Sequence, residues 1–135
     1  MFQFLDHPSE TLVEVRAKSV RDVFIDAATA LFEIMTDTSA LKESLQFDVS
    51  LPAAERHLLL IDWLNYLIYL HEVNNVFLRA FAVTIDASGS LQALVKGENI
   101  SDHHERRMHA KSVTYGQFEW IDKKNEHTVR FVVDI

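Results

Sequence analysis

The stretch "LLLIDWLNYLIYL", Leu58–Leu70, decides the fold of this chain. Only Asp62 and Asn65 interrupt a run of apolar and aromatic residues. A helix that is apolar on nearly every side is typically buried at the centre of a domain, and this one is too short to span a bilayer. We therefore predict a central helix that begins at Pro52 and ends near Glu72.

The polar residues of this helix, together with Tyr69, lie on one stripe. Asp62, Asn65 and Tyr69 are spaced by three and four, which places them on the same side of a helix. Because a buried acid needs a partner, the stripe has two interpretations. It is either a polar seam that holds the helix to a sheet or part of a functional site.

The sequence before the central helix predicts two strands and one further helix. Residues Thr11–Ala17 and Leu45–Leu51 both alternate between apolar and polar residues, which is typical of strands with one solvated face. Between them, Ser19 is a predicted N-cap with Asp22 at the reciprocal position of a capping box. Apolar residues then recur every three or four positions as far as Met35, which indicates an amphipathic helix.

Four strands are predicted after the central helix. They form two hairpins, and Gly116 marks a predicted bulge because the apolar parity shifts there. The strands are Val76–Asp86, Ser90–Gly97, Lys111–Ile121 and His127–Ile135. The resulting order is β-α-β-α-β-β-β-β, which predicts a single α+β domain over residues 1–135 with two helices and a largely antiparallel sheet.

Composition narrows the classes of function. The net charge of −7 disfavours strong direct binding of nucleic acid, because phosphate contacts depend on Lys and Arg. The chain has no cysteine, so disulfides, thiolate metal sites and a cysteine nucleophile are excluded. The N-terminal residues have no basic region followed by a long apolar one, so we expect a cytoplasmic protein without a signal peptide.

One segment is rich in metal-binding residue types. The stretch "SDHHERRMH", Ser101–His109, contains His103, His104, Glu105 and His109. These side chains would suit a transition metal, and the segment would then belong to a metal-dependent hydrolase. Their irregular spacing equally fits a solvated loop between two strands.

The two ends of the chain carry acids that would meet if the first and last strands pair. In that case Glu10, Asp134 and the carboxylate of Ile135 would converge. Such oxygen ligands suit a hard cation, and Ca²⁺ tolerates mixed carboxylate and carbonyl ligands. The other interpretation is that these terminal acids are simply solvated.

Several blocks of this sequence resemble the archease family. They occur in the family's order and cover nearly the whole chain. The blocks are "HPSE" (His7–Glu10), "ALFEIMTD" (Ala30–Asp37), "DWLNYLIYL" (Asp62–Leu70), "VKGE" (Val95–Glu98), "KSVTY" (Lys111–Tyr115) and the final "VDI".

The resemblance implies a helper protein rather than a stand-alone enzyme. Archeases are associated with the RtcB-type RNA ligase of tRNA splicing and repair. They promote guanylylation of the ligase by GTP and allow it to turn over repeatedly. A chaperone-like interaction module is the remaining alternative.

The resemblance also implies particular site residues. Matched residue by residue, the family's metal site becomes Glu10, Asp134 and Ile135, with Ca²⁺ as the expected cation. His7 and Lys111 are candidates for contact with the ligase. This chain departs from the family pattern at three positions, with Glu10 for aspartate, Pro8 for threonine and Gly116 for histidine.

Overall fold

The computed structural model describes residues 1–5 and 10–135, and His7 and Pro8 lie outside this part of the chain. Two helices and a short 3₁₀ turn are present, α1 (Val20–Met35), Thr38–Ala40 and α2 (Arg56–Asn74). The strands are β1 (Phe2–Leu5), β2 (Glu10–Ala17), β3 (Leu45–Leu51), β4 (Val76–Ile85), β5 (Leu91–Asn99), β6 (Ser112–Lys123) and β7 (Glu126–Asp134). None of the helices in these described residues is long and apolar enough to cross a membrane.

The strands form two antiparallel sheets with the helices between them. One sheet has the order β1-β2-β7-β6 and the other the order β3-β5-β4. Each helix contacts strands of both sheets, so each sheet turns one face towards the helices. Apolar residues from the inner faces and both helices fill this space, among them Phe24, Trp63 and Phe131, which are fully buried.

The predicted α+β class and element order are confirmed, and the structure adds β1 in front of them. This strand pairs with β2, placing Phe4 opposite Val13. Its sequence, Phe2–Leu5, is too short for alternation to be distinguished from chance.

The second helix begins later than predicted, at Arg56 rather than at Pro52. The N-cap, Glu55, has extended backbone angles, so residues 52–55 form a connection instead of a first turn. At the other end, Asn75 adopts the left-handed conformation with φ of 53° and donates its N–H to the carbonyl of His71. This is a common way for a helix to end.

Local side-chain hydrogen bonds fix the first helix and the β4–β5 turn. The Ser19 hydroxyl accepts from the N–H of Asp22 at 3.1 Å, which confirms the predicted cap. In the turn, the Asp86 carboxylate accepts from the hydroxyls of Ser88 and Ser90 at 2.5 and 2.6 Å. These bonds lower the pKa of Asp86 to about 2.

The predicted irregularity of β6 is present. The pairing of β6 with β7 shifts register between Thr114 and Glu119. The positive φ, 60°, belongs to Gln117 and not to the neighbouring Gly116. After the shift, Trp120 lies opposite Val129, so Phe118 and Trp120 pack against the core.

Candidate functional site

Glu10 and Asp134 lie directly opposite each other at the end of the β2–β7 pair. Their neighbours Thr11 and Val133 lie on the same face of the sheet as the buried Val13 and Phe131. Glu10 and Asp134 therefore lie on the opposite, outer face. Directly opposed residues of an antiparallel pair have Cβ atoms about 4.5–5.5 Å apart. Strand pairing thus places two acidic residues from opposite ends of the chain directly across from each other.

Strand β6, which pairs with β7 on the side away from β2, also contributes to the surroundings of Asp134. Ser112 of β6 lies opposite Asp134, and its hydroxyl donates to Oδ2 at 3.2 Å. The backbone N–H of Lys111 donates to the Asp134 carbonyl oxygen at 2.8 Å, and the Lys111 side chain is exposed. Ile135 follows and packs its half-buried side chain against the core.

The donor set of this site suits a hard divalent cation. Two like charges opposite each other on a sheet destabilise it, and a cation between them would offset the repulsion. Carboxylate and hydroxyl oxygens are ligands of the type that Ca²⁺ accepts. Within residues 1–5 and 10–135, no three His, Asp or Glu side chains come together as a metal cluster. A third strong ligand, in addition to the two carboxylates, would therefore be a main-chain group or a group that is not one of these described side chains.

The histidines of Ser101–His109 have separate partners. His104 accepts at Nδ1 from the N–H of Ser101 at 2.9 Å, so its Nε2 carries the proton and lies 3.0 Å from the Glu98 carboxylate. His109 lies 3.8 Å from the Glu72 carboxylate, and His103 is exposed. Among the residues that the structure describes, the histidines of this segment belong to no metal-type cluster, so the hydrolase alternative lacks the grouped imidazoles that it requires.

This segment instead caps the C-terminal end of α1. The N–H groups of Arg107 and Met108 donate to the carbonyls of Met35 and Ile34 at 3.0 and 3.1 Å. The Arg107 guanidinium donates to the carbonyl and the carboxylate of Glu33, both at 2.8 Å. Helix C-termini leave carbonyls without partners and favour positive charge, so the segment has a structural role.

The predicted polar stripe of α2 has two kinds of residue. Asn65 bonds both backbone groups of Val113, accepting at 2.8 Å and donating at 2.9 Å. It therefore holds the helix to β6, as the polar-seam interpretation predicts. Asp62 and Tyr69 are exposed, and the prediction that α2 is buried nearly all round is wrong on this side.

A cleft of about 460 Å³ lies between the capping segment and the end of α2. His71 lines it and is buried, with Nδ1 2.8 Å from the Val76 carbonyl oxygen, so Nδ1 is the donor. Burial lowers the pKa of His71, since the charged form loses its hydration. The sequence places His71 near the end of the predicted helix, and no sequence pattern around it indicates a cleft.

Comparison with known proteins gives a consistent result. The model of the archease protein family (MTH1598/TM1083) matches residues 2–135. "Protein archease" of Methanothermobacter thermautotrophicus is 31% identical over 99% of this chain and 98% of its own length. "Protein archease" of Sulfolobus acidocaldarius is 29% identical over the same shares.

Solved structures share the fold. The solution structure of Methanobacterium thermoautotrophicum protein 1598 superposes with a TM-score of 0.86 at 32% identity, covering 99% of this chain and 98% of that one. A crystal structure from Thermotoga maritima, described as "an archease, possible chaperone", superposes with a TM-score of 0.71 at 15% identity, covering 97% and 94%. Because the family model matches nearly the whole length of this chain, the chain belongs to the archease family.

Proposed function

We propose that this archease is an accessory protein of an RtcB-type RNA ligase, which promotes guanylylation of the ligase by GTP and allows multiple turnover. The observation that carries the proposal is the opposed pair Glu10 and Asp134 on β2 and β7. The net charge of −7 supports contact with a protein rather than with RNA. In this proposal the ligase performs the chemistry and holds the nucleotide and the RNA.

Glu10, Asp134 and the Ile135 carboxylate would hold a divalent cation, and Ca²⁺ suits them best. Glu10 has one methylene more than aspartate, and Ca²⁺ tolerates that displacement better than octahedral Mg²⁺ does. When bound, the cation would supply positive charge for phosphate oxygens. Within the chain, the β2–β7 register sets the spacing of the two acids, and the Ser112 hydroxyl orients Asp134.

Of the two candidates for contact with the ligase, Lys111 lies in the part of the chain that the structure describes. Its backbone is fixed to Asp134 while its side chain is exposed, so its charge is carried beside the proposed cation site. We propose that it contacts the ligase. His7, the second candidate, stays a prediction because it lies outside the described residues.

The test is ligation by the cognate ligase at substoichiometric concentration, with GTP and Mn²⁺, with and without this protein. We expect many turnovers per ligase only in its presence. Glu10→Gln and Asp134→Asn should each reduce this stimulation at least tenfold. Asp48→Asn, an exposed acid on β3, is the matched control and should have no effect.

Two results would contradict the proposal. The first is unchanged ligase turnover with the wild-type protein, when the ligase is shown to complete a first turnover. The second is full stimulation by the Glu10→Gln and Asp134→Asn variants. A one-residue extension after Ile135 tests the third ligand separately, and it should act like Asp134→Asn.

A chaperone-like interaction module is the second candidate, because apolar side chains of α2 are exposed. Leu58 and Val73 are 48% and 62% exposed. Such a module would slow aggregation of unrelated unfolded proteins, whereas the proposed factor acts on one ligase. Light scattering of a heated unrelated enzyme, with and without this protein, distinguishes the two.

A further inference from the structure

Helix α2 runs antiparallel beside β6 and the segment before it. Three contacts define this arrangement. Near the start of the helix, the rings of His57 and Phe118 lie 5.4 Å apart. In the middle, Asn65 bonds Val113. Near the end, Glu72 lies 3.8 Å from His109.

Exposed side chains follow this junction on the solvent side. Tyr69 of α2 is 54% exposed and Tyr115 of β6 is 49% exposed. Tyr66 is half-buried, and its ring lies 5.7 Å from that of Tyr69. Helical spacing places Leu58 and Asp62 on the same side as these tyrosines. We name Leu58, Asp62, Tyr66, Tyr69 and Tyr115 the α2–β6 face.

The α2–β6 face is negatively charged. Partial burial raises the pKa of Tyr115, and the carboxylates of Asp62 and Glu55 raise it further. Asp62 lies one helical turn before Asn65, which bonds Val113, so this acid lies beside β6, and Glu72 lies further along the same helix, 3.8 Å from His109. Exposed tyrosines beside acidic groups are typical of an interface with a basic partner.

One end of this face lies beside the start of β6, the edge strand that pairs with β7. Asn65 lies beside Val113, and Glu72 lies beside His109. Tyr69, which is between Asn65 and Glu72 on the helix, therefore lies beside the residues between His109 and Val113. Lys111 is among those residues, and its N–H bonds the Asp134 carbonyl. Lys111 thus connects this end of the face to the backbone of Asp134, whose side chain lies on the outer face of the same sheet.

We infer that the α2–β6 face is the docking surface for the RNA ligase, and that it binds a basic region of the ligase with an apolar centre. This inference rests on the proposed function. A ligase that holds RNA and GTP must present Lys and Arg around its phosphate sites, and the acids of this face complement them.

Two other exposed apolar side chains, Ile121 and Phe4, do not offer such a surface. Ile121 is 43% exposed on the outer face of its sheet, beside the charged Lys123 and Glu119. Phe4 is equally exposed, on the short strand β1. Single exposed apolar residues are normal for soluble domains, whereas an aromatic group with complementary charge marks an interface.

The experiment measures two quantities for each variant, the Kd for the isolated ligase and the ligation rate at saturation. Tyr69→Ala combined with Tyr115→Ala, and separately Asp62→Lys, should each raise the Kd at least tenfold. The saturated rate should stay at the wild-type value, since neither change touches Glu10 or Asp134. The matched controls are Ile121→Ala for the tyrosines and Asp48→Lys for the charge reversal, and both should leave the Kd unchanged.

The two readouts separate this inference from the proposed function. If the Kd values of the face variants match the wild type while circular dichroism shows them folded, the inference is wrong. It is equally wrong if the wild-type protein does not bind the ligase. If the wild type binds, loses affinity in the face variants, and yet does not raise turnover, the docking surface stands and the proposed function fails.

Discussion

Glu10 and Glu14 lie on the same face of β2 but are paired with different residues of β7. The Glu14 side chain is 2% exposed and bonds Gln3, Arg16 and Arg130 at 2.7, 3.1 and 2.8 Å. These hydrogen bonds, that of Gln3 foremost, lower the pKa of Glu14 despite its burial. Glu10 faces another carboxylate, Asp134. Glu14, bonded to Gln3, Arg16 and Arg130, stabilises the sheet, whereas Glu10 and Asp134 are the residues that we propose to bind a cation.

His71 should make the stability of the protein depend on pH. Its pKa is lowered by burial and by the charges of His109 and Arg106, while the Val76 carbonyl and Glu72 raise it. The unfolded chain therefore takes up the proton first. Stability is complete above the ordinary histidine pKa of about 6.5 and is lost as pH falls towards the lowered value.

The measurement is urea unfolding at pH 7.5 and 5.5. His71→Asn keeps a donor for the Val76 carbonyl and removes the titrating group, so it should lose less stability between the two pH values than the wild type. His103→Asn, at an exposed position, controls for a titrating histidine without burial. Equal losses in wild type and His71→Asn would show that this imidazole does not titrate on unfolding.

At the scale of elements, the Ser101–His109 segment illustrates how a composition suggestive of metal binding serves a packing role. Its imidazoles are directed to different carboxylates, and its backbone caps α1. Thr36, 1% exposed, adds to this junction by donating its hydroxyl to the Glu105 carbonyl at 2.8 Å. The segment therefore joins the end of α1 to the start of β6.

Removing the Thr36 hydroxyl should weaken this junction. Thr36→Val keeps the shape of the side chain and leaves the Glu105 carbonyl without this donor in a partly buried junction, which should lower the free energy of unfolding by about 1 kcal/mol. Chemical denaturation measures the change. Thr84→Val, at an exposed position of β4, is the control and should change stability by less than about 0.5 kcal/mol. A Thr36→Val protein as stable as the wild type would show that this hydrogen bond makes no net contribution to the free energy of unfolding.

At the scale of the whole molecule, two sheets enclose a layer of helices. The outer face of the larger sheet holds the carboxylate pair, because β2 and β7 are neighbours at its centre. The site is thus built on paired strands rather than on a loop, which favours a fixed separation of the acids.

Calcium should stabilise the whole fold through this pair. At a Ca²⁺ concentration of 100 times the Kd, binding to the native state alone adds about 2.7 kcal/mol to the free energy of unfolding. Thermal unfolding with Ca²⁺ and with chelator measures this gain. Asp134→Asn should lose the gain but be no less stable than the wild type in chelator, because the substitution also removes a like-charge contact. A loss of stability in chelator would indicate a structural role for Asp134 instead.

Much of the fold was determined by the sequence alone. Alternation in Thr11–Ala17 and Leu45–Leu51, the Ser19 cap and the parity change near Gly116 each depend on neighbouring residues, and each is confirmed. Local periodicity reports which side of an element is buried, so these features need no knowledge of distant contacts. The family resemblance, confirmed by the match to residues 2–135, extended this reading to the whole chain.

What the sequence left open was decided by contacts between distant residues. The pairing of β2 with β7 made neighbours of Glu10 and Asp134 at opposite ends of the chain. The packing of α2 beside β6 left Tyr69 exposed on a helix that was predicted to be buried on nearly every side, and left Tyr115 exposed beside it. Sequence patterns record the polarity of each residue, whereas the choice of strand partner and of covered helix side depends on the free energy of the assembled domain.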